Sequence, residues 1–321
     1  MTARLPYLAL MAFLVTLSSA LAFVPISDRV NARNAQIDPG GKAIAVSAAA
    51  LPLVPNDRDV TRVGKLRFRG GLYLTSSDPH FGGFSALNVS ADGRRVLAIS
   101  DRSFWLSIEL EYAGGALSDA RNAVLAPILG ADGKQLKAPF HDSESLSAIG
   151  GFALDNGASA VVGFETRDRI DRYELGRYGF LAHPTPVPMP TDLKRALPNL
   201  GLEGIAALPD GQFLAITERT LDGDGNMIGW IVGPSGAAAP IGLRRRKPFN
   251  LSDLARAPNG DVFTLERRFS LAGGIGMEIR RIAERALQPY AVLDGEVIAE
   301  LDQDYSIDNM EGLAIRRGEN G

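Results

Sequence analysis

Leu202-Glu203-Gly204-Ile205-Ala206, Asp210-Gly211, Phe213-Leu214-Ala215-Ile216-Thr217-Glu218-Arg219 is one copy of a phrase that returns along the chain. It reads as an acidic or hydroxyl residue, a small residue, an apolar pair, a tight turn, an apolar run, then an acid and an arginine. Phe84-Ser85-Ala86-Leu87 leads through Asp92-Gly93 to Asp101-Arg102, and Ser143-Glu144-Ser145-Leu146 leads through Asn156-Gly157 to Glu165-Thr166-Arg167. Ser252-Asp253-Leu254-Ala255 leads through Asn259-Gly260 to Glu266-Arg267, and a further copy opens at Asn309-Met310-Glu311-Gly312-Leu313-Ala314. Counted on Ser85, Glu144, Glu203, Asp253 and Glu311, the intervals are 144 − 85 = 59, 203 − 144 = 59, 253 − 203 = 50 and 311 − 253 = 58. A phrase returning at that spacing is the mark of a repeat architecture.

Each copy holds two apolar runs around Asn-Gly or Asp-Gly. Those dipeptides accept the positive φ of a hairpin turn, so each copy reads as two antiparallel strands. The rest of each interval has room for two more, such as Trp230-Ile231-Val232 and Glu278-Ile279-Arg280-Arg281-Ile282. Four strands in roughly 50 to 60 residues is one blade of a β-propeller. The expected fold is all-β: a propeller of about six four-stranded blades, counting the strands before Ser85 as a blade. Short helical pieces are expected only near Asp192–Leu197 and Ala283–Ala286. The last copy lacks the hairpin partner that should follow Arg316–Gly321. Either the chain stops within its last blade, or N-terminal strands complete that blade.

Composition narrows the function. The 321 residues carry a formal net charge of −3, which offers no basic excess for nucleic acid. The run Arg244-Arg245-Arg246-Lys247 reads as a solvated loop before Pro248. There is no cysteine, which excludes disulfides, thiolate nucleophiles and cysteine zinc sites, and only three histidines, which argues against a multi-histidine metal centre. Residues 1–22 read as a signal peptide: Arg4, the apolar stretch Leu5–Leu17, then Ser18-Ser19-Ala20-Leu21-Ala22 with the Ala-x-Ala form of a cleavage site. Residues 23–321 are then a single propeller domain, exported to the periplasm or secreted, with no membrane span left after cleavage.

Equivalent positions of successive first strands line a propeller's central channel. Glu144, Glu203, Asp253 and Glu311 should therefore converge near its mouth. Converging carboxylates repel unless protonated, paired or bound to a cation, and hard oxygen donors suit Ca²⁺ or Mg²⁺. Asp101, Glu165, Glu218 and Glu266 close the next strand. Arg102, Arg167, Arg219 and Arg267 beside them are candidates to hold an anionic group. His141-Asp142-Ser143-Glu144 is not a triad by spacing, since adjacent strand residues face opposite ways. Asp222-Gly223-Asp224-Gly225-Asn226 lacks the twelfth-position Glu of an EF-hand and reads as a hairpin loop.

The Glu203-Gly204-Ile205-Ala206 and Glu311-Gly312-Leu313-Ala314 starts, with the strand ends Ser100-Asp101-Arg102 and Thr217-Glu218-Arg219, resemble the phytase-like family of exported bacterial proteins, whose described activity is esterase-like. The resemblance covers about Gly64 to Gly321. The chain departs from the pattern at Ser85 and at Asp253-Leu254, and it lacks the Asp-Ala-x-Asp-Asp-Pro run of calcium-dependent propeller phytases. Two readings remain open. One is a metal-assisted hydrolase of phosphoesters or carboxylic esters, with Ca²⁺ as its ion and a small anionic or ester substrate. The other is a non-catalytic periplasmic binding or scaffold propeller whose ring acids are struts between blades.

Overall fold

In the computed structural model, residues 10–12, 40–189, 201–270 and 273–318 are described. Six short strands precede the repeats: β1 (Leu10–Ala12), β2 (Lys42–Ala43), β3 (Ser47–Leu51), β4 (Arg62–Val63), β5 (Leu66–Arg67) and β6 (Gly71–Thr75). Blade one is β7 (Phe84–Val89), β8 (Arg95–Ser100), β9 (Phe104–Ala113) and β10 (Ala116–Pro127). Blade two is β11 (Ser143–Ile149), β12 (Ser159–Phe164), β13 (Arg169–Tyr173) and β14 (Pro184–Val187). Blade three is β15 (Leu202–Ala207), β16 (Phe213–Leu221), β17 (Met227–Val232) and β18 (Ala238–Leu243). Blade four is β19 (Asn250–Arg256), β20 (Val262–Ser270) and β21 (Gly274–Ile282). Then come β22 (Val292–Leu293), β23 (Glu296–Asp302), the outer strand of blade four, and β24 (Leu313–Ile315).

The turns form as their residues dictate. In blade three Asp210 and Gly211 both take left-handed φ, 56° and 71°, as a type I′ hairpin requires. In the other three blades only the glycine is left-handed.

The second strand of each blade is apolar without alternation because both its faces are buried. On β8, Val96 and Ala98 join one core cluster, while Leu97 and Ile99 join the next. On β16, Phe213 and Ala215 pack toward blade two, and Leu214 and Ile216 toward blade four. Five such clusters lie between neighbouring sheets.

The ring contains four complete sheets, fewer blades than the six expected. The strands before Ser85 do not make a blade of their own. β2 instead adds to the outer edge of β10. β3 pairs with β6, and this ladder shares a wedge with β24: Leu72, Leu74 and Ala314 pack on blade one, and Leu53, Met310 and Leu313 on blade four. β24 lies between β19 and β7 and closes the ring at a fifth position. Its hydrogen-bonded edge, which faces the second strand in every other blade, is paired antiparallel with β1. The predicted signal peptide otherwise falls outside the described residues, as does the helix expected near Asp192–Leu197. Glu284–Ala286 is a single 3-10 turn, and Leu175–Tyr178 is a short helix. No helix among the described residues is long and apolar enough to cross a membrane.

Candidate metal and anion site at the channel mouth

Every complete blade breaks register at the same point of its first strand. The pairing skips one residue at Ser85, Glu144, Glu203 and Ser252. Such a bulge leaves one residue unpaired and re-aims its side chain. Ser85, Glu144 and Glu203 line a cavity of about 430 Å³ at the channel mouth. Glu311 lines it too, one residue before Gly312 and two before the start of β24.

The fourth blade is shifted by one residue against the reading of the sequence. The bulged residue there is Ser252, not Asp253, and the spacing becomes 252 − 203 = 49 and 311 − 252 = 59. A slip of one residue turns a side chain to the other face. Asp253 is accordingly absent from the cavity lining and 0 % exposed. Its carboxylate accepts backbone N–H groups from Leu254 and Leu313, each at 2.7 Å. The same slip acts on the second strand. Glu266 pairs across from Leu251, the place held by Ser100, Phe164 and Thr217 in the other blades. It is buried against the Arg280 guanidinium at 2.6 Å. Arg267 then takes the position of Asp101, Glu165 and Glu218, and a cation enters the acidic ring.

The remaining acids gather as expected, with additions. Asp101, Glu165, Glu218 and Asp308 join Glu144, Glu203 and Glu311 in lining the cavity. Asp142, Glu144 and Glu165 bring carboxylate oxygens within 4.8 Å of one another. Asp142 was not legible as a site residue, because the equivalent places hold Gly83, Gly201, Asn250 and Asn309 and no repeat marks it. Its neighbours are not catalytic partners: Ser143 Oγ donates to the Ser100 carbonyl at 2.6 Å, and His141 Nδ1 faces the Asp101 carbonyl.

The crowding shows in the protonation of these groups. Burial, then the Asp142 and Glu311 carboxylates, push the Glu144 carboxyl up to about 9 against a hydrogen bond from Ser85. Glu203 is held well above the usual carboxylate range by burial and by Glu144, Glu218 and Glu311, while Arg267 opposes. Glu203 is 6 % exposed, and among the described residues it has no hydrogen bond or salt bridge. Burial also raises Glu165 and Glu311.

Of the four candidate arginines, two reach the cavity. Arg219 Nε lies 2.8 Å from the Glu218 carboxylate. Arg267 donates to both Glu311 and Asn309. Arg102 is used outside it, donating to the Pro79 and Gly82 carbonyls. Arg167 sits over the Phe140 ring at 5.9 Å. The Asp222 loop satisfies itself: Asp222 Oδ1 accepts the N–H of Asp224 and of Asn226 in the connection from β16 to β17.

An all-oxygen donor set with several carboxylates fits a hard divalent cation such as Ca²⁺ and does not fit zinc or copper. Without a cation, Glu144 keeps its proton at neutral pH, and burial disfavours the charged forms of Glu165 and Glu203.

Solved propellers resemble the chain weakly. The PQQ-bound aldose sugar dehydrogenase of Streptomyces coelicolor is 13% identical with a TM-score of 0.41, over 86% of this chain and 91% of that one. The Dos1 propeller is 9% identical with a TM-score of 0.36, over 71% of this chain and 62% of its own. YCF48 of Cyanidioschyzon merolae is 16% identical with a TM-score of 0.34, over 70% and 61%. The chain thus spans about six tenths of the length of the last two. No curated protein matches it. The family described as Phytase-like, esterase-like activity of phytase, matches residues 79–321, all four blades and β24 included, and the chain belongs to that family.

Proposed function

We propose that the chain is an exported, metal-assisted hydrolase of phosphoesters or carboxylic esters, working at the mouth of its channel. The observation that carries this reading is the Asp142, Glu144 and Glu165 cluster, beside which the buried Glu203 has no hydrogen bond or salt bridge among the described residues. These residues would hold a Ca²⁺ or Mg²⁺ ion. When bound, the ion would polarise the ester and acidify water. Arg267 and Arg219 supply charge-assisted donors for the anionic oxygens of a phosphate or of a tetrahedral intermediate. Glu311 and Asn309 fix the Arg267 guanidinium, so little ordering is needed on binding. In the reaction the oxygen of water bonds to phosphorus or to the acyl carbon. The ester P–O or C–O bond breaks, and the departing alkoxide takes the proton that the attacking water gives up.

The alternative, a non-catalytic binding or scaffold propeller, is favoured at Asp253 and Glu266, which act as struts. It gives no account of Glu203, since a strut needs a partner. The test is turnover of p-nitrophenyl phosphate and p-nitrophenyl acetate by purified protein, with added Ca²⁺ and with chelator. Calcium-dependent turnover lost in Glu144→Gln supports hydrolysis. No turnover of either ester leaves the scaffold reading.

A further inference from the structure

The end of the blades that carries the acidic cavity has two exposed phenyl groups at its rim. Phe269 lies on β20 two residues beyond Arg267, and strand alternation puts both side chains on one face of the β20–β21 hairpin. Arg267 lines the cavity, so Phe269 stands above it on the same side, and it is 75 % exposed. Phe140 lies two residues before Asp142 and is 48 % exposed. Two arginines surround it: Arg169 Nη2 donates to the Phe140 carbonyl at 2.7 Å, and the Arg167 and Arg169 guanidinium carbons lie 5.9 and 6.0 Å from the ring centroid. Each phenyl group is therefore two residues from a charged residue of the channel mouth, Arg267 of the cavity lining or Asp142 of the acid cluster. Tyr178 and Tyr290, also exposed, sit in third-to-fourth-strand connections at the opposite end of the blades, while Leu221, 37 % exposed, ends β16 at the cavity end.

We propose that Phe140 and Phe269 determine substrate specificity. They pack against a planar, apolar substituent whose anionic or ester group occupies the cavity, so esters of aromatic alcohols are preferred over small hydrophilic esters. This rests on the hydrolase reading for its chemistry, though the binding preference can be measured without it. A phenyl ring on the ligand would meet an exposed Phe140 or Phe269 ring in stacked or edge-on contact. The cations over Phe140 would strengthen that surface's hold on an aryl phosphate.

The experiment compares phenyl phosphate with methyl phosphate in calorimetric titrations of the calcium-loaded protein, with turnover of both followed in parallel. Phenyl phosphate is expected to bind at least about tenfold more tightly. Phe269→Ala and Phe140→Ala are expected to cut that preference to within about twofold, and Phe269→Trp to keep it. Tyr290→Ala, at the far end of the blades, should leave it intact, and melting curves of all variants check the fold. Equal binding of the two phosphates by wild type, binding of neither, or a preference that survives both alanine variants overturns the proposal. If both are hydrolysed without preference, the rim has no role and the hydrolase reading stands. If phenyl phosphate is preferred but neither is hydrolysed, the rim stands as an aryl-anion site and the hydrolase reading falls.

Discussion

The buried carboxylate of Asp253 accepts the backbone N–H of Leu313 at 2.7 Å, so one side chain of blade four holds the strand that follows it round the ring. Its other oxygen accepts the N–H of Leu254. Asp253→Ala leaves two buried N–H groups unsatisfied, at about 1–3 kcal/mol each. The expected result is a loss of about 2–4 kcal/mol in denaturant unfolding, with calcium affinity unchanged. A loss of calcium binding in a variant that remains folded would place Asp253 in the site instead.

Glu203 should behave in the opposite way. Its carboxyl is buried among other acids, with no hydrogen bond or salt bridge among the described residues. Glu203→Gln replaces a carboxyl that burial keeps from ionising with a neutral amide of nearly the same volume, so the metal-free fold should lose little. The chelated variant should melt close to the wild-type temperature, while the stabilisation that Ca²⁺ gives wild type should shrink. Melting curves with and without chelator read both effects.

The acid cluster sets a dependence on pH. Glu144 keeps its proton in the folded chain up to about 9, whereas in the unfolded chain it ionises near the ordinary value of 4.5. Between those values the folded state binds more protons than the unfolded one, so stability falls as pH rises. Glu203, Glu165 and Glu311 are shifted in the same direction and add to the slope. The metal-free protein should therefore lose stability from about pH 5 to about pH 9. Saturating Ca²⁺ should flatten that slope, because the ion replaces the protons. A metal-free stability that rises over this range would contradict the crowding.

Arg267 is the cation that the fourth blade places in the acidic ring. Arg267→Gln removes charge-assisted hydrogen bonds worth about 1.5–3 kcal/mol each. The affinity for phenyl phosphate should fall about tenfold or more, and Glu311 should titrate still higher. Carbon-13 shifts of the Glu311 carboxyl, read across a pH series, check the second effect.

Two glycines let neighbouring blades approach. A Cβ at Gly204 would lie 2.5 Å from Leu254 Cγ, and one at Gly312 would lie 3.1 Å from the Ala86 backbone. The second is the harder case, because backbone cannot rotate away. Gly312→Ala should cost about 1–3 kcal/mol in denaturant unfolding, and Gly204→Ala should cost less if Leu254 changes rotamer.

The propeller was legible because its signals are local. Apolar runs such as Val161-Val162 and Leu214-Ala215-Ile216, each closing a hairpin, state that both faces of a strand are buried. The site was legible only where the phrase kept its phase. Glu144, Glu203 and Glu311 fall into the ring as aligned. Asp253 and Glu266 do not, because a shortened third repeat let an acid one residue downstream pass for the ring position. Only the bulge, a property of pairing between strands, separates Ser252 from Asp253. Asp142 carried no repeat signal, and its role depends on the blade-two hairpin bringing Glu165 beside it. The blade number was overcounted because the early strands look like blade strands, while their partners, β10 for β2 and the wedge beside β24 for β3 and β6, are set by long-range contacts.

The proposed function requires a divalent-cation site at the channel mouth, built on Asp142, Glu144 and Glu165. Calorimetric titration of Ca²⁺ into the chelator-treated, dialysed protein and into its Glu144→Gln variant tests it most directly. The account predicts saturable, stoichiometric binding with proton release in wild type, and loss of that binding in a variant that still folds. Absence of Ca²⁺ and Mg²⁺ binding in wild type, or undiminished binding in Glu144→Gln, would contradict it.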